Sequence, residues 1–162
     1  MPTEITIRFA EKQDAPVLIH FNRSMALETE QKELLPEVIS KGVERLFTNP
    51  ELGFYVVAEY GKRIVGSLMI TTEWSDWRNR IFWWIQSVYV LPDERRKGIY
   101  TRLYQFIQES ASNNPDICGF RLYVEKNNLL AKNAYSTLGM NPTQYEIYEH
   151  IKPGTRFCTG SS

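Results

Sequence analysis

Arg95, Arg96 and Lys97 stand directly before Gly98, and from Ile99 onward the apolar residues recur at helical spacing. The start of a helix carries partial positive charge and free backbone N–H groups, so cations gathered there are unfavourable unless an anion joins them. Gly98 allows close approach of the backbone, and N–H groups flanked by guanidinium and ammonium groups suit a phosphate. Taken alone, the segment reads equally well as a solvated basic turn. GxxxxGK[ST] and GxGxxG are both missing, which argues against a nucleotide triphosphatase or a Rossmann dinucleotide site. Further on, VEKNNLLAKNAYSTLGM spaces Asn128, Ala131, Tyr135, Gly139 and Met140 along one helix-like stretch. Asn128 suits an N-cap and Gly139 a C-terminal stop. Ala131, Ala134, Tyr135 and Leu138 also form an ordinary apolar helix face.

These residues need elements to hold them. ITIRFA (5–10) predicts a strand, and Asp14 caps a helix carrying Leu18, Phe21 and Met25 at helical spacing. A second helix is predicted over 34–48, with Leu35, Ile39, Val43 and Leu46 on one face. FYVVAEY and RIVGSLMIT flank Gly61-Lys62 and read as a β-hairpin. SDWRNR is a polar loop. IFWWIQSVYV (81–90) has almost no polar face, which predicts a central strand buried on both sides. A helix over 98–111 presents Ile99, Leu103, Phe106 and Ile107 together. ICGFRLYVE (117–125) predicts another strand. YEIYEHIK (145–152) places Tyr145, Ile147 and Ile151 at period two and is expected to close the sheet, while the last ten residues should fray. The mixture of a hairpin and two strand–helix units predicts a single α/β domain with a mixed sheet.

The 162 residues can bury one sizeable core. Basic and acidic residues balance at 19 each, so general affinity for nucleic acid or an anionic membrane is not indicated. Cys118 and Cys158 have no metal-ligand spacing and read as free thiols in a reducing compartment; no metal site is expected. His20 and His150 have no visible partners and read as structural or surface residues. No signal-peptide pattern or long apolar run appears, which points to the cytoplasm.

At this point the chain resembles the GNAT superfamily of acetyl-CoA-dependent N-acetyltransferases. The family's [Q/R]-x-x-G-x-[G/A] matches Arg95 to Tyr100, except that Tyr100 replaces a small residue. Its N-x-x-A-x-x-x-Y-x-x-x-G-[F/M] is met in full from Asn128 to Met140, and SVYVLPDERR is similar to L-x-V-x-P-x-x-R with Val88 for Leu. The resemblance spans residues 4–152 and leaves 153–162 as a tail. It implies a single-domain GNAT-like fold: a central mixed, mostly antiparallel sheet flanked by about four helices, with a cofactor cleft between two splayed central strands.

The resemblance further implies that the pyrophosphate of CoA lies on the amides of Arg96, Lys97, Gly98, Ile99, Tyr100 and Thr101, beside Arg95. The pantetheine arm would follow the main chain at Val88, Tyr89 and Val90, much as a peptide adds to a free strand edge. A backbone N–H near Val88 would stabilise the oxyanion, Asn128 would bond the CoA arm beside Ala131, and Tyr135 would protonate the departing thiolate. Many members carry a Glu where this chain has Gln86, and an amide cannot take a proton from an ammonium. Glu73 is the candidate replacement base, acting through water; it reads equally well as a solvated charge. Glu28 and Glu30 with Trp74, Trp77, Trp83 and Trp84 would suit a cationic amine, although a solvated loop and core packing account for them as well. The expected reaction is acetyl transfer to a primary amine of a small molecule in a ternary complex. A protein amine as acceptor, a non-catalytic acyl-CoA-binding module and a homodimer all stay open. A nucleic-acid binder using the RRK cluster is disfavoured by the neutral balance of charge.

Overall fold

A computed structural model describes residues 4–160. Five strands, β1 (Ile5–Phe9), β2 (Gly53–Tyr60), β3 (Arg63–Ser75), β4 (Arg80–Val90) and β5 (Ile117–Leu122), form one sheet in chain order. The first four pair antiparallel, and β5 joins β4 in parallel. A parallel neighbour needs a crossover, and α3 (Ile99–Ser112) supplies it. The other helices are α1 (Ala15–Glu30), α2 (Pro36–Thr48) and α4 (Leu129–Thr137). This is the mixed α/β sheet that the element pattern predicts, mostly antiparallel as the resemblance implies.

Alternation along each strand divides the core into two layers. Val56, Ala58, Leu68, Ile70 and Ile85 pack with Leu103 and Ile107 of α3. Tyr55 and Val57 pack with Leu18 of α1 and with Val43 and Leu46 of α2. Full burial of one such aliphatic side chain contributes about 1.5–3 kcal/mol. Both faces of the inner strands are therefore covered, which explains why their sequences lack a polar side.

Asp14 is the N-cap residue of α1, but its carboxylate does not cap the helix. It accepts from the Glu11 N–H at 2.7 Å and from both terminal nitrogens of Arg8 at 2.8 and 3.1 Å. Arg8 also donates through Nε to Glu59 at 2.9 Å, tying β1 to β2. The hydrogen bonds from Arg8 hold the Asp14 carboxyl below the usual carboxylate range. A carboxyl depressed on folding contributes stability above its unfolded pKa and loses it as pH falls through the folded one. Asp14→Asn should cost about 2 kcal/mol at neutral pH. Its melting temperature should then fall less than that of the wild type between about pH 5 and pH 2.

Three expectations are corrected. Residues 145–152 form no strand. Period-two alternation specifies which side chains share a face but cannot supply the neighbouring strand, and the segment has none among the described residues. β5 ends at Leu122 instead of continuing to 125, because its pairing with β4 ends there. The tail does not fray over its described residues. Cys158 is buried and bridges Leu34, the Leu35 N–H donates to Phe157 O at 2.9 Å, and Lys32 lies over the Phe157 ring. Ser161 and Ser162 lie outside the described residues.

Candidate active site

β4 and β5 stay paired from Ile81 and Ile117 to Ile85 and Leu122. Beyond that point β4 runs on to Val90 while β5 has ended, so Val88, Tyr89 and Val90 border an opening. A β-bulge sits at its start. Ser87 and Val88 together face Leu68 of β3, and Ser87 has a left-handed φ of 52°. Such a bulge bends the strand and re-aims its backbone groups beside the opening. The Tyr89 side chain turns away from it, packing 5.1 Å from the Phe21 ring and donating its hydroxyl to Glu28 at 2.7 Å. At Tyr89 only the main chain is available to a ligand.

The chain then turns through residues 91–98 into α3. Arg96 and Gly98 have φ of 65° and 77°, and Gly98 is the N-cap residue. Among the described residues, none of the backbone N–H groups of 96–101 has an acceptor; the first that does is that of Arg102, which donates to Gly98 O at 3.1 Å. A run of unsatisfied donors at a helix start is a ready anion site.

The cations are arranged differently from the expectation. Arg95 points back to the end of α1, donating to Glu28 at 2.8 Å and to Val90 O at 2.9 Å, with its guanidinium 5.4 Å from the Tyr89 ring centre. Lys97 pairs with Glu94 at 3.0 Å. Arg96 is exposed and has no partner among the described residues. Two carboxylates thus offset much of the repulsion at the start of α3. Arg95 holds the loop against α1 instead of facing the free amides. In return, Arg95 and the Tyr89 hydroxyl hold the Glu28 carboxyl below its usual range.

Tyr100 resolves its own departure from the motif by packing inward. Its ring meets Tyr135 edge-on at 5.7 Å and lies 6.4 Å from Tyr104. Its hydroxyl is buried without a partner among the described residues, and burial pushes the phenol well above its usual range. Leaving such a group unpaired costs about 1–3 kcal/mol, so a ligand that accepts from it would recover that cost. Ile99 is buried beneath the loop, and Thr101 is half-buried in the first turn of α3.

Tyr135 is half-buried on α4. Burial raises its pKa, so the hydroxyl stays protonated at neutral pH and has a proton to give. That hydroxyl makes no hydrogen bond among the described residues. Asn128 starts α4 by accepting the Ala131 N–H at 3.1 Å, which leaves its amide donors available. Tyr100 and Tyr135 thereby join the loop, α3 and α4 into one site beside the opening.

Gln86 lies on the opposite face of the sheet, in register with Met69, and donates to the Thr71 hydroxyl at 2.6 Å. Glu73 is not brought to the site. It lies five residues along β3 from the position facing the bulge, about 17 Å, and accepts from Arg121 at 2.6 Å. Glu28 is neutralised by Arg95 and Glu30 pairs with Lys32, so the two do not form a free acidic mouth. The tryptophans divide as well. Trp83 is buried against Phe54 and Phe120, Trp84 lies 4.7 Å from Tyr123, and Trp74 and Trp77 are exposed at the β3–β4 tip. Sequence reasoning missed the Glu28–Arg95 tie, the Glu73–Arg121 pair and the bulge at Ser87. Only the last had a local signal, a polar Ser inside an apolar strand.

The model of the acetyltransferase (GNAT) family matches residues 18–140. A possible acetyltransferase from Clostridium difficile 630 is 43% identical, covering 91% of this chain and 97% of that one with a TM-score of 0.86. A predicted acetyltransferase from Clostridium acetobutylicum, solved with acetyl-CoA, shares the fold at 18% identity. It covers 91% of this chain and 96% of that one, with a TM-score of 0.74. A transcriptional regulator from Bacillus halodurans C-125 also shares the fold, at 22% identity, 91% and 100% coverage and a TM-score of 0.78. No relative is found among curated proteins.

Proposed function

Because the chain belongs to the acetyltransferase (GNAT) family, we propose that it moves an acetyl group from acetyl-CoA to a primary amine of a small molecule, directly and in a ternary complex. The observation that carries this reading is the run of free N–H groups at 96–101 beside the opening along Val88 to Val90. These amides hold the pyrophosphate, with Arg96 as the cation free to neutralise it and Lys97 shared with Glu94. The main chain of Val88, Tyr89 and Val90 holds the amide-rich pantetheine arm, and the amide donors of Asn128 add to it. The N–H at Val88, re-aimed by the bulge, stabilises the oxygen of the thioester carbonyl as negative charge develops there.

The amine nitrogen forms the new bond to the acetyl carbon, and the carbon–sulfur bond breaks. Tyr135 gives its proton to the departing thiolate. A thiolate, whose thiol has an ordinary pKa of about 8.5, is a weaker base than phenolate, ordinarily about 10, and burial raises Tyr135 further, so this transfer is uphill. Solvent takes the ammonium proton, since Gln86 is held by Thr71 and Glu73 by Arg121. A missing side-chain base costs about 10²–10⁴ in rate, which slows transfer without abolishing it. The same two contacts favour one other reading, a non-catalytic acyl-CoA-binding module. Thiol release with a panel of small amines and lysine peptides separates the module, which releases none, from an enzyme, and a small-molecule acceptor from a protein one. The catalytic unit is residues 4–152, braced by the tail at Leu34, and it works in the cytoplasm.

Acetyl-CoA should raise the melting temperature, since the anion site exists only in the folded chain. At a hundred times its dissociation constant the added stability should be about 2.7 kcal/mol. No shift at millimolar acetyl-CoA would remove the cofactor from this reading.

A further inference from the structure

Tyr100 stands where the family's motif has a small residue, and its side chain turns inward from the first turn of α3. Two elements meet around it. Tyr104 lies one turn further along α3, its ring 6.4 Å from that of Tyr100. From α4, Tyr135 meets Tyr100 edge-on at 5.7 Å, and Leu138 and Met140, just beyond that helix, pack on the same core. Among the described residues, the Tyr100 hydroxyl is the one buried side-chain polar group without a partner. A phenylalanine would fill the same space without the cost of an unpaired donor, so the hydroxyl calls for another reason.

The Tyr135 hydroxyl is unbonded as well among the described residues. In the transfer proposed above, on which this inference rests, the Tyr135 O–H bond breaks and its proton forms the S–H bond of CoA. The electron pair stays on the Tyr135 oxygen, which becomes a phenolate in a half-buried position. A charge there is costly unless a donor faces it. Solvent, which has taken the ammonium proton, returns one to the phenolate at the end of the cycle.

We infer that Tyr100 is a positioning residue for this proton transfer, its hydroxyl donating to the Tyr135 oxygen as negative charge develops there. Tyr100 keeps its own proton throughout. The two hydroxyls are not bonded to each other while Tyr135 is neutral, whereas a hydrogen bond to a charged acceptor is shorter and stronger. The contact is thus made in the transition state and not in the ground state, which is the condition for raising the rate. It offsets the uphill transfer from a buried phenol to a thiolate. Tyr100 does not replace Tyr135 as the acid. Burial, with Tyr135 and Tyr104 beside it, pushes its own phenol well above the usual range, so it gives a hydrogen bond and not a proton. Among the described residues no cation stacks on any of the three rings.

Steady-state thiol release and fluorine NMR test this on the full chain. Tyr100→Phe should lower kcat about 10–100-fold, the loss of one charge-assisted bond in the transition state, and leave KM for acetyl-CoA unchanged. The melting temperature should not fall, since the hydroxyl removed has no partner. In a Tyr135→Phe background the same substitution should change kcat by less than about twofold, because the group it acts through is already gone. Slow Tyr135→Phe beside unaltered Tyr100→Phe overturns this inference alone; unaltered Tyr135→Phe overturns the acid and the inference together. A raised KM with kcat unchanged would make the hydroxyl a ligand contact, and a lowered melting temperature would give it a structural partner; either overturns the inference. The second readout needs no turnover. Difluorotyrosine in place of Tyr135 is a more acidic phenol, and its fluorine signal reports ionisation directly. Its midpoint should lie about one pH unit higher with Tyr100→Phe, because a donor to the phenolate has been lost. No thiol release with any amine would remove the transfer reading and leave this midpoint to decide the contact. An unchanged midpoint overturns it.

Discussion

Gly98→Val should lower acetyl-CoA affinity roughly 10²–10⁴-fold while costing the fold only about 1–2 kcal/mol. The two effects have separate origins. Gly98 has a φ of 77°, a conformation that a β-branched residue adopts only under strain, and that strain is the cost to the fold. A Cβ built at this position meets nothing within 4 Å, so the protein itself has room for a side chain. That room is where a phosphate must approach the free amides of 96–101. Relaxing the strain rotates the same amides away. Loss of two charge-assisted hydrogen bonds at about 1.5–3 kcal/mol each accounts for the expected range. Gly98→Ala should fall between the variant and wild type, since it carries strain with little bulk. Titration calorimetry with CoA, set beside thermal melting, separates the terms. An affinity within threefold of wild type for Gly98→Val would mean that the phosphate binds elsewhere.

The loop was legible because its geometry is local. A strand ending near Val90, a Gly at a helix start and periodic apolar residues after it require nothing from distant sequence. The same holds for α4, where Asn128 and Gly139 mark its start and stop. Side-chain directions were less legible, since they depend on remote partners. Arg95 faces Glu28, 67 positions earlier, and Glu73 is held by Arg121, 48 positions later. Neither pairing leaves a trace in local spacing, so Arg95 read as a phosphate ligand and Glu73 as either a base acting through water or a solvated charge. Trp83 and Trp84 are adjacent and equally apolar, yet alternation sends one into the core and the other to Tyr123. The segment at 145–152 failed for another reason. Its pattern is that of a strand, but a strand exists only with a neighbour, and among the described residues it has none.

Tyr135→Phe should lower turnover roughly 10–10³-fold with little change in acetyl-CoA affinity or melting temperature. The ring keeps its edge-on contact with Tyr100, so packing is preserved. The hydroxyl makes no hydrogen bond among the described residues, so removing it leaves no buried group newly unpaired. A purely structural hydroxyl would have shown a partner, and its loss would then cost about 1–3 kcal/mol of stability. Because burial pushes the phenol above its usual range, the donor stays protonated throughout neutral pH. If proton donation by Tyr135 limits the rate, turnover should not decline on this account until above about pH 10, and that decline should vanish in the variant. Steady-state thiol release against pH, with melting on the same samples, reads all of these. A variant with unaltered turnover would assign the proton to water, and Tyr135 to packing against Tyr100. A variant that loses stability but not rate would place a partner on the hydroxyl and remove it from the chemistry.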